Sequence, residues 1–169
     1  MIDNNNEMLP EVDESGNIIG AISRGCAHNG SKKLHPVVHL HLFNSNGDLY
    51  LQKRPAWKDI QPGKWDTACG GHIDLGENVN EALRREVKEE LGITDFTPCS
   101  MGYYIFESKQ ERELVFVHKC VYDGLIKPST EELDGGRFWT EKEIEENIGK
   151  ALFTPNFENE YRKYFELHK

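Results

Sequence analysis

The sequence lacks a long apolar run, a signal-peptide core and any closely spaced pair of cysteines. None of its apolar runs approaches the ~20 residues that a transmembrane helix needs, so we predict no membrane-spanning segment. The N-terminal residues MIDNNNEM are polar and carry no apolar signal-peptide region. The four cysteines include no CxxC pair, which favours reduced thiols. Together these absences predict a cytoplasmic protein.

Positive charge is also scarce. The 20 lysine and arginine residues are outnumbered by 29 aspartate and glutamate residues, which gives a formal net charge of -9. Such a chain is a poor match for a nucleic-acid polymer or an anionic membrane, because both carry charge of the same sign. A small anionic ligand remains compatible with this balance, since a metal ion and a few cations can reverse the field inside one cleft.

The 169 residues suffice for one domain with a sizeable core and contain no internal repeat. We expect residues 1–7 to be disordered and residues 8–169 to form a single domain that begins with a hairpin, followed by a loop at 25–33. Apolar and alternating segments predict further strands at 37–43, 49–53, 65–68, 96–107, 113–122 and 137–139. A capping box opens a helix at Thr140, and Thr154-Pro155 opens another. The pattern predicts a mixed β-sheet with helices, of the α/β or α+β class.

The most informative segment runs from Gly71 to Ile93, GHIDLGENVNEALRREVKEELGI, and is typical of a loop followed by a helix. One helical face collects the apolar residues Val79, Ala82, Leu83, Val87 and Leu91. At about 100° per residue, Glu90 and Glu86 fall at roughly +20° and −20° from Val79, within this face, and Glu89 falls just outside it at roughly −80°. Carboxylates in such positions need a cation, because burial disfavours their charge.

The three glutamates offer only oxygen ligands, and at this density such ligands suit a hard cation, Mg²⁺ or Mn²⁺, rather than zinc. Magnesium keeps several waters and is commonly shared between protein carboxylates and substrate phosphates. Glycines at positions 70, 71 and 76 would let the backbone approach the metal or a phosphate closely. The arrangement indicates attack of water on phosphorus in a phosphate chain.

The same residues carry a family resemblance. Gly71, Glu77, the run Arg85 to Glu90 and Gly92-Ile93 stand at the spacings of the Nudix box, so the chain resembles the Nudix hydrolase superfamily. The resemblance implies an α/β/α sandwich with a mixed β-sheet. It also implies a pyrophosphatase-like hydrolase of diphosphate bonds, typically in nucleoside diphosphates linked to another group.

Position by position, the resemblance assigns roles within the box. The implied metal ligands are Glu86, Glu89, Glu90 and the carbonyl of Gly71. The residues implied to hold the loop against the helix are Glu77, Arg85 and Gly92. Family members often recruit a further acidic residue from a later loop, as ligand or base. Glu132 is the candidate here, with Glu131 next, and it would join Glu89 in the catalytic set.

A second resemblance covers the strand before the box and KWDTACGGHIDLGE, and it is to the subgroup related to isopentenyl-diphosphate isomerase. That enzyme uses a cysteine next to a metal-binding histidine, with further histidines and glutamates, and Cys69 and His72 stand in a similar context, downstream of His35. Isomerisation would need a proton donor and an acceptor, which a cysteine and a glutamate could supply. The full box and the missing proline after His72 favour the hydrolase. His39 and His41 are expected on a half-buried polar strand face rather than in a metal site.

Residues near the box offer candidate substrate contacts. Those proposed to bind phosphate are Lys53, Arg54 and Lys64, and those proposed to stack on a base are Trp57 and Tyr103. Solvated surface charge is the alternative for the basic residues. A Nudix-like domain that senses a nucleotide without cleaving it is a third functional hypothesis. A homodimer through the N-terminal hairpin or the last helix is left open by the sequence.

Overall fold

A computed structural model describes residues 5–58, 61–130 and 133–166. The strands are β1 Met8–Val12, β2 Ile18–Ser23, β3 Leu34–Phe43, β4 Leu49–Lys53, β5 Trp65–Thr67, β6 Cys69–His72, β7 Cys99–Glu107, β8 Arg112–Val121 and β9 Gly136–Trp139. The helices are α1 Arg24–Ala27, α2 Val79–Leu91, α3 Glu141–Asn147 and α4 Pro155–Tyr164. Within the described ranges, no helix is both long and apolar enough to cross a membrane.

The strands from β3 onward form one mixed sheet. Its main path runs β5-β4-β3-β8-β7, with β6 paired to β3 and β9 paired to β4. β3 and β8 run parallel, from Leu34 opposite Arg112 to Phe43 opposite Val121, and the other pairs are antiparallel. Because β3 lies in the middle of the sheet, nearly all of its residues are buried, and they contact the layers on both faces.

Different helices cover the two faces of the sheet. Val38, Leu40 and Leu42 of β3 share a core cluster with α2, whose buried apolar residues are Ala82, Leu83, Val87 and Leu91. On the other face, Phe157 and Tyr161 of α4 join a cluster with residues of β4 and β9. This arrangement is the α/β/α sandwich with a mixed sheet that the sequence predicts, and the fold prediction is confirmed.

Side-chain caps set the ends of the helix that carries the box. Asn78 caps α2 and forms a capping box with Glu81, which is not among the helix starts predicted from the sequence. Gly92 ends the helix in the left-handed conformation, at φ 67°. The predicted capping box of α3 and the predicted proline start of α4 are both present.

The N-terminal segment forms the predicted hairpin, because β1 and β2 pair antiparallel as a separate two-stranded sheet. Of the segment predicted to be disordered, residues 1–4 lie outside the described part of the chain. The carbonyl of Glu7 accepts a hydrogen bond of 2.7 Å from the backbone nitrogen of Arg24.

Two local predictions are wrong. The stretch predicted as a loop at 25–33 includes most of the short helix α1, and residues 70–72, predicted as part of the loop before α2, belong to β6. β6 contains two glycines and no alternation of apolar side chains. Its strand conformation is therefore stabilised by pairing with β3 rather than by local propensity.

Candidate active site

β6 and α2 place a carboxylate directly against a glycine. Gly71 lies opposite Val38 of β3, and the chain enters α2 shortly after β6 ends. A Cβ added to Gly71 would collide with the carboxyl group of Glu86. The absence of a side chain at Gly71 therefore allows the Glu86 carboxylate to lie beside the backbone of β6.

The three helix glutamates differ in exposure in the order that helical geometry predicts. Glu90 is buried at 8% exposure, and the side chains of Glu86 and Glu89 are 13% and 59% exposed. Glu86 and Glu90 lie within the packed face, and Glu89 lies outside it. Two carboxylates are thus largely screened from bulk water, while the third faces it.

Arg85 ties the loop to the helix through its guanidinium group. Its Nε and Nη2 donate to the Glu77 carboxylate at 2.7 and 2.9 Å, which is a bidentate pair. Nη2 also donates to the carbonyl of His72 at 3.0 Å, and Nη1 donates to Glu86 at 2.7 Å. These bonds join the end of β6, the following turn and α2. The geometry is consistent with the holding role that the family resemblance implies for Glu77 and Arg85.

The charged residues of the box shift the pKa values of neighbouring groups. The hydrogen bond from Arg85 holds the pKa of Glu77 below its usual value. Burial first, and then the charges of Glu90 and Glu86, raise the pKa of the Cys69 thiol well above its usual value. Cys69 is therefore an uncharged thiol at neutral pH, packed beside the carboxylates of the box.

Cys69 and His72 lie on opposite faces of the sheet. They are three residues apart on β6, and side chains alternate along a strand. Cys69 belongs to the core cluster that packs on α2, whereas the Nε2 of His72 lies 3.2 Å from that of His28. On the His72 face, the residue two positions earlier is Gly70, which offers no side chain. The structure therefore does not bring the two residues of the alternative site together.

A second group of ligating side chains surrounds the ring of His72. Within the described ranges, two overlapping sets of ligand atoms lie within 4.8 Å of one another: His28, His35 and His72, and His35, Glu111 and Glu113. We call these five residues the histidine cluster. Imidazoles combined with carboxylates suit zinc or another transition metal better than magnesium. They meet because His35 lies opposite Glu113 in the parallel pair of β3 and β8.

The ring of His35 is oriented by a backbone contact. Its Nδ1 lies 3.1 Å from the carbonyl of Lys33, so Nδ1 donates the proton and Nε2 keeps its lone pair. Among the residues described, this buried Nε2 has no hydrogen-bond partner. Burial lowers the pKa of His35, and burial together with the charge of Arg24 lowers the pKa of His72 well below its usual value. Both imidazoles are therefore neutral at physiological pH, the form that binds a metal.

The sequence singles out His35 and His72 but not the other three members of the histidine cluster, His28, Glu111 and Glu113. No local spacing relates all five members, because the cluster draws on three separate parts of the chain, at 28–35, 72 and 111–113. The register of β3 with β8 brings Glu113 beside His35, and this register cannot be read from the sequence.

A buried carboxylate on α4 accepts hydrogen bonds from three side chains of the sheet. Glu160 is 1% exposed and accepts hydrogen bonds from His39 Nδ1 at 2.9 Å, His41 Nε2 at 2.7 Å and the Tyr104 hydroxyl at 2.6 Å. Burial alone would lower the pKa of His39, but the charge and hydrogen bond of Glu160 raise it to about 9. His39 and His41 share one polar face, as predicted, but α4 covers that face more completely than expected.

The candidate substrate contacts are spread over the sheet. The residues concerned are Lys53, Arg54, Trp57, Lys64 and Tyr103. The first four belong to β4 and to the segment between β4 and β5, whereas Tyr103 lies on β7 at the opposite edge of the main path. Strands spaced ~4.8 Å apart separate β4 from β7 by about 14 Å. Tyr103 packs instead on Phe116, with ring centroids 5.6 Å apart. The structure therefore does not assemble these residues into one pocket.

Glu131 and Glu132 lie outside the described residues, and the catalytic role suggested for Glu132 stays a prediction. The chain before them is anchored at the end of α2, where the backbone nitrogen of Ser129 donates to the carbonyl of Glu90 at 2.8 Å.

Comparison with known proteins agrees with this geometry. The family model of the NUDIX domain matches residues 33–157. An uncharacterized Nudix hydrolase of Pseudomonas aeruginosa is 33% identical over 138 residues, which cover 78% of this chain and 78% of that protein. An isopentenyl-diphosphate Delta-isomerase of Streptomyces griseus is 31% identical over 156 residues, covering 89% of this chain and 79% of that protein. The crystal structure of a Deinococcus radiodurans protein superposes with a TM-score of 0.80 at 23% identity, covering 94% of this chain and 99% of that chain.

Fold and box together define a hydrolase that acts on acid anhydrides. The domain match and the similarity to curated Nudix hydrolases show that the chain belongs to the Nudix hydrolase family, with an isomerase-like subgroup among its relatives. Enzymes of this family generally use a divalent metal.

Proposed function

We propose that the protein hydrolyses a diphosphate bond in a small molecule, either a nucleoside diphosphate linked to another group or a related compound. Water attacks one phosphorus, the bridging P–O bond breaks, and two phosphate-bearing products leave. The observation that best supports this proposal is that the Glu86 carboxylate lies against Gly71. Glu86 stands on the same helix as Glu89 and Glu90.

The residues at this position fit a divalent cation of the magnesium type. The groups that would hold it are the carboxylates of Glu86, Glu89 and Glu90 and the carbonyl of Gly71. All are oxygen donors, which Mg²⁺ and Mn²⁺ prefer. The missing side chain at Gly71 brings a carboxylate and the backbone together, as a shared ion requires. When bound, such an ion neutralises phosphate charge and lowers the pKa of a water molecule.

The other box residues have separable tasks in this proposal. Glu89 is the most exposed of the three glutamates, so it is placed to orient or deprotonate the attacking water. Arg85 holds Glu86 in position at 2.7 Å and fastens the preceding loop through Glu77. Glu132 remains the second candidate for the base.

The test begins with a metal-supplemented screen of nucleotide sugars, dinucleotides, nucleoside triphosphates and prenyl diphosphates. On the substrate that is cleaved, Glu89→Gln and Glu90→Gln should each lower kcat by about 10²- to 10⁴-fold while the circular dichroism spectrum is retained. Glu146→Gln, on the exposed side of α3, is the matched control and should keep full activity.

Three outcomes would count against the proposal. Turnover in excess chelator would contradict the metal requirement, and full activity in either box variant would contradict the assigned roles. Nucleotide binding without cleavage of any compound in the screen would indicate the nucleotide-sensing alternative.

Isomerisation of isopentenyl diphosphate is the second candidate function, and the histidine cluster is the observation that favours it. The position of Cys69 argues against it, because the thiol is buried on the face of β6 opposite the His72 ring. Incubation with isopentenyl diphosphate and Mg²⁺, followed by NMR, discriminates the two functions. Conversion at unchanged mass that disappears in Cys69→Ala would reverse the ranking.

A further inference from the structure

The outer edge of β7 is open along the described chain. β7 forms one end of the main sheet, it pairs with β8 alone, and none of its 9 residues, Cys99–Glu107, is buried. At the other end of the sheet, the backbone of Trp65 in β5 donates to Leu152 at 3.0 Å and accepts from Thr154 at 2.9 Å. Every second residue of an antiparallel strand directs its N–H and C=O away from its partner, so β7 presents backbone groups to a further strand.

Residues 103–107 of β7 have no feature of the kind that usually keeps an open edge from pairing. Edge strands are commonly protected by lysine, proline or a bulge. The sequence of this segment, YYIFE, contains neither lysine nor proline, and the bulge of β7 lies between Ser100 and Gly102, before the segment begins. Tyr103 and Ile105 are 54% and 37% exposed. The segment is therefore a regular edge with apolar side chains in contact with water.

The one charged residue of the segment is neutralised by its own chain. The two carboxylate oxygens of Glu107 lie 2.9 Å from Nζ of Lys32 and 3.4 Å from Nε of Arg112. These contacts hold the pKa of Glu107 below its usual value, so the carboxylate stays ionised and paired. Two chains that each carry a net charge of -9 can therefore approach at this edge with little local repulsion.

The layers that cover the sheet leave space beside this edge on both faces. On one face, Glu160 of α4 accepts hydrogen bonds from His39 of β3 and Tyr104 of β7, so α4 crosses over β8, which lies between these strands. A cavity of about 310 Å³ lies between α4 and β7. On the other face, the turn of the N-terminal hairpin lies over β8, where a Cβ at Gly16 would be 3.6 Å from Phe116.

A second copy of the chain fits this edge across a two-fold axis. Antiparallel pairing of residues 103–107 with the same residues of the other copy places Ile105, the middle residue, opposite itself. Tyr104 then lies opposite Phe106, and Tyr103 lies opposite Glu107. No like charges face each other, and the pairs at the axis and next to it are apolar or aromatic, which stabilises an antiparallel ladder.

The spacing of the strands gives the distance between the two copies of α4. From β8 through both β7 strands to the second β8 there are three spacings of ~4.8 Å, or about 14 Å. Because α4 crosses over β8, the two helices lie farther apart than the 8–10 Å typical of packed helices. The hairpin turn also lies over β8, so the same separation applies on the other face. The pairing therefore brings no covering layer into collision.

We propose that two copies of this chain form a homodimer by antiparallel pairing of residues 103–107 of β7, which joins their sheets into one. A second copy suits this edge because a single segment supplies both sides of the ladder without opposed charges, and because the covering layers clear each other. A five-residue ladder makes an interface at the small end of the usual range, so the dimer should dissociate on dilution.

The test measures molar mass by sedimentation equilibrium of the full chain at about 5–500 μM. Ile105→Lys and Ile105→Glu should each weaken dimerisation about 10-fold or more, because residue 105 then meets its own charge across the axis. An equimolar mixture of the two variants should recover the dimer, since lysine then faces glutamate. Recovery in the mixture is specific to a two-fold axis at residue 105.

Val121→Lys is the matched control. Val121 is an exposed β-branched residue at the end of β8, 66% exposed and outside the proposed ladder. It should leave dimerisation at the wild-type value, and circular dichroism should show that all three variants keep the wild-type fold.

Three results would overturn the inference. A wild type that is monomeric at every concentration would leave the β7 edge to a strand of another protein. A dimer that both Ile105 variants retain would place the interface elsewhere, as in the N-terminal hairpin or the last helix. Variants that stay monomeric when mixed, with their folds intact, would exclude the two-fold axis at Ile105.

Discussion

The substitution Gly71→Ala tests the box geometry with a single added methyl group. Its Cβ would lie 2.5 and 2.6 Å from the two carboxylate oxygens of Glu86. Non-bonded contacts of this kind need about 3.5 Å, so the Glu86 carboxylate must retreat by about 1 Å. A displacement of about 1 Å at a catalytic centre costs about 100-fold in rate, and we expect kcat to fall by that factor. The same overpacking should lower the free energy of unfolding by about 1–3 kcal/mol.

Three measurements check this expectation: phosphate release with Mg²⁺, Mn²⁺ binding by electron paramagnetic resonance, and unfolding in urea. The control is Gly20→Ala in β2, on the separate two-stranded sheet, where the added Cβ meets only Glu11, at 3.4 and 3.9 Å. The control should keep wild-type kcat and metal affinity. Wild-type kcat and Mn²⁺ affinity in Gly71→Ala would refute the idea that the close approach of Gly71 to Glu86 is needed.

Three other perturbations address the groups around the box. Because the pKa of His39 is raised to about 9, the stability that it gains from Glu160 is complete below about pH 6.5 and is lost as pH rises through 9. Urea unfolding should show this loss, about 3 kcal/mol, in the wild type and not in His39→Gln. Arg85→Lys keeps a charge but loses the paired bonds to Glu77, so the free energy of unfolding should fall by about 2 kcal/mol; an unchanged urea midpoint would contradict the bidentate role. Calorimetry with Co²⁺ should detect a site that His28→Ala removes, and unchanged stoichiometry would show that the histidine cluster holds no metal.

The order of exposure of the three box glutamates follows from sequence alone. A regular helix fixes the angle between any two of its residues, so one buried position defines all the others. α2 keeps the same face on the sheet along its length, and Glu90, Glu86 and Glu89 therefore take the burial that their angles from Val79 predict. No knowledge of the sheet is needed for this part of the site.

The histidine cluster, in contrast, cannot be predicted from helical geometry. His35 and Glu113 meet because β3 and β8 pair in parallel with one particular register. A shift of one residue would turn the side chains of β8 to the other face and separate the two groups. Register between strands so far apart in the chain depends on the whole core, and no local pattern encodes it.

The candidate substrate contacts stay predictions, and strand order is also the reason why Tyr103 lies apart from the others. Their closeness to the box along the chain, or their aromatic rings, is what singles them out in the sequence. Closeness along the chain does not predict closeness in space when strands from distant segments are inserted into the sheet. β3 and β8 stand between β4, which carries Lys53, and β7, which carries Tyr103. The order of strands, rather than residue type, decides which side chains share a surface.

The number of glycines between Cys69 and His72 distinguishes the hydrolase hypothesis from the isomerase hypothesis. Because side chains alternate along β6, the pair Gly70-Gly71 places Cys69 on the α2 face and His72 on the face of the histidine cluster. A single glycine between cysteine and histidine would put both on one face, as a shared thiol and metal site requires. Gly70 lies against the His39 ring and Gly71 against the Glu86 carboxylate, so the glycine pair that separates Cys69 from His72 also completes the hydrolase box.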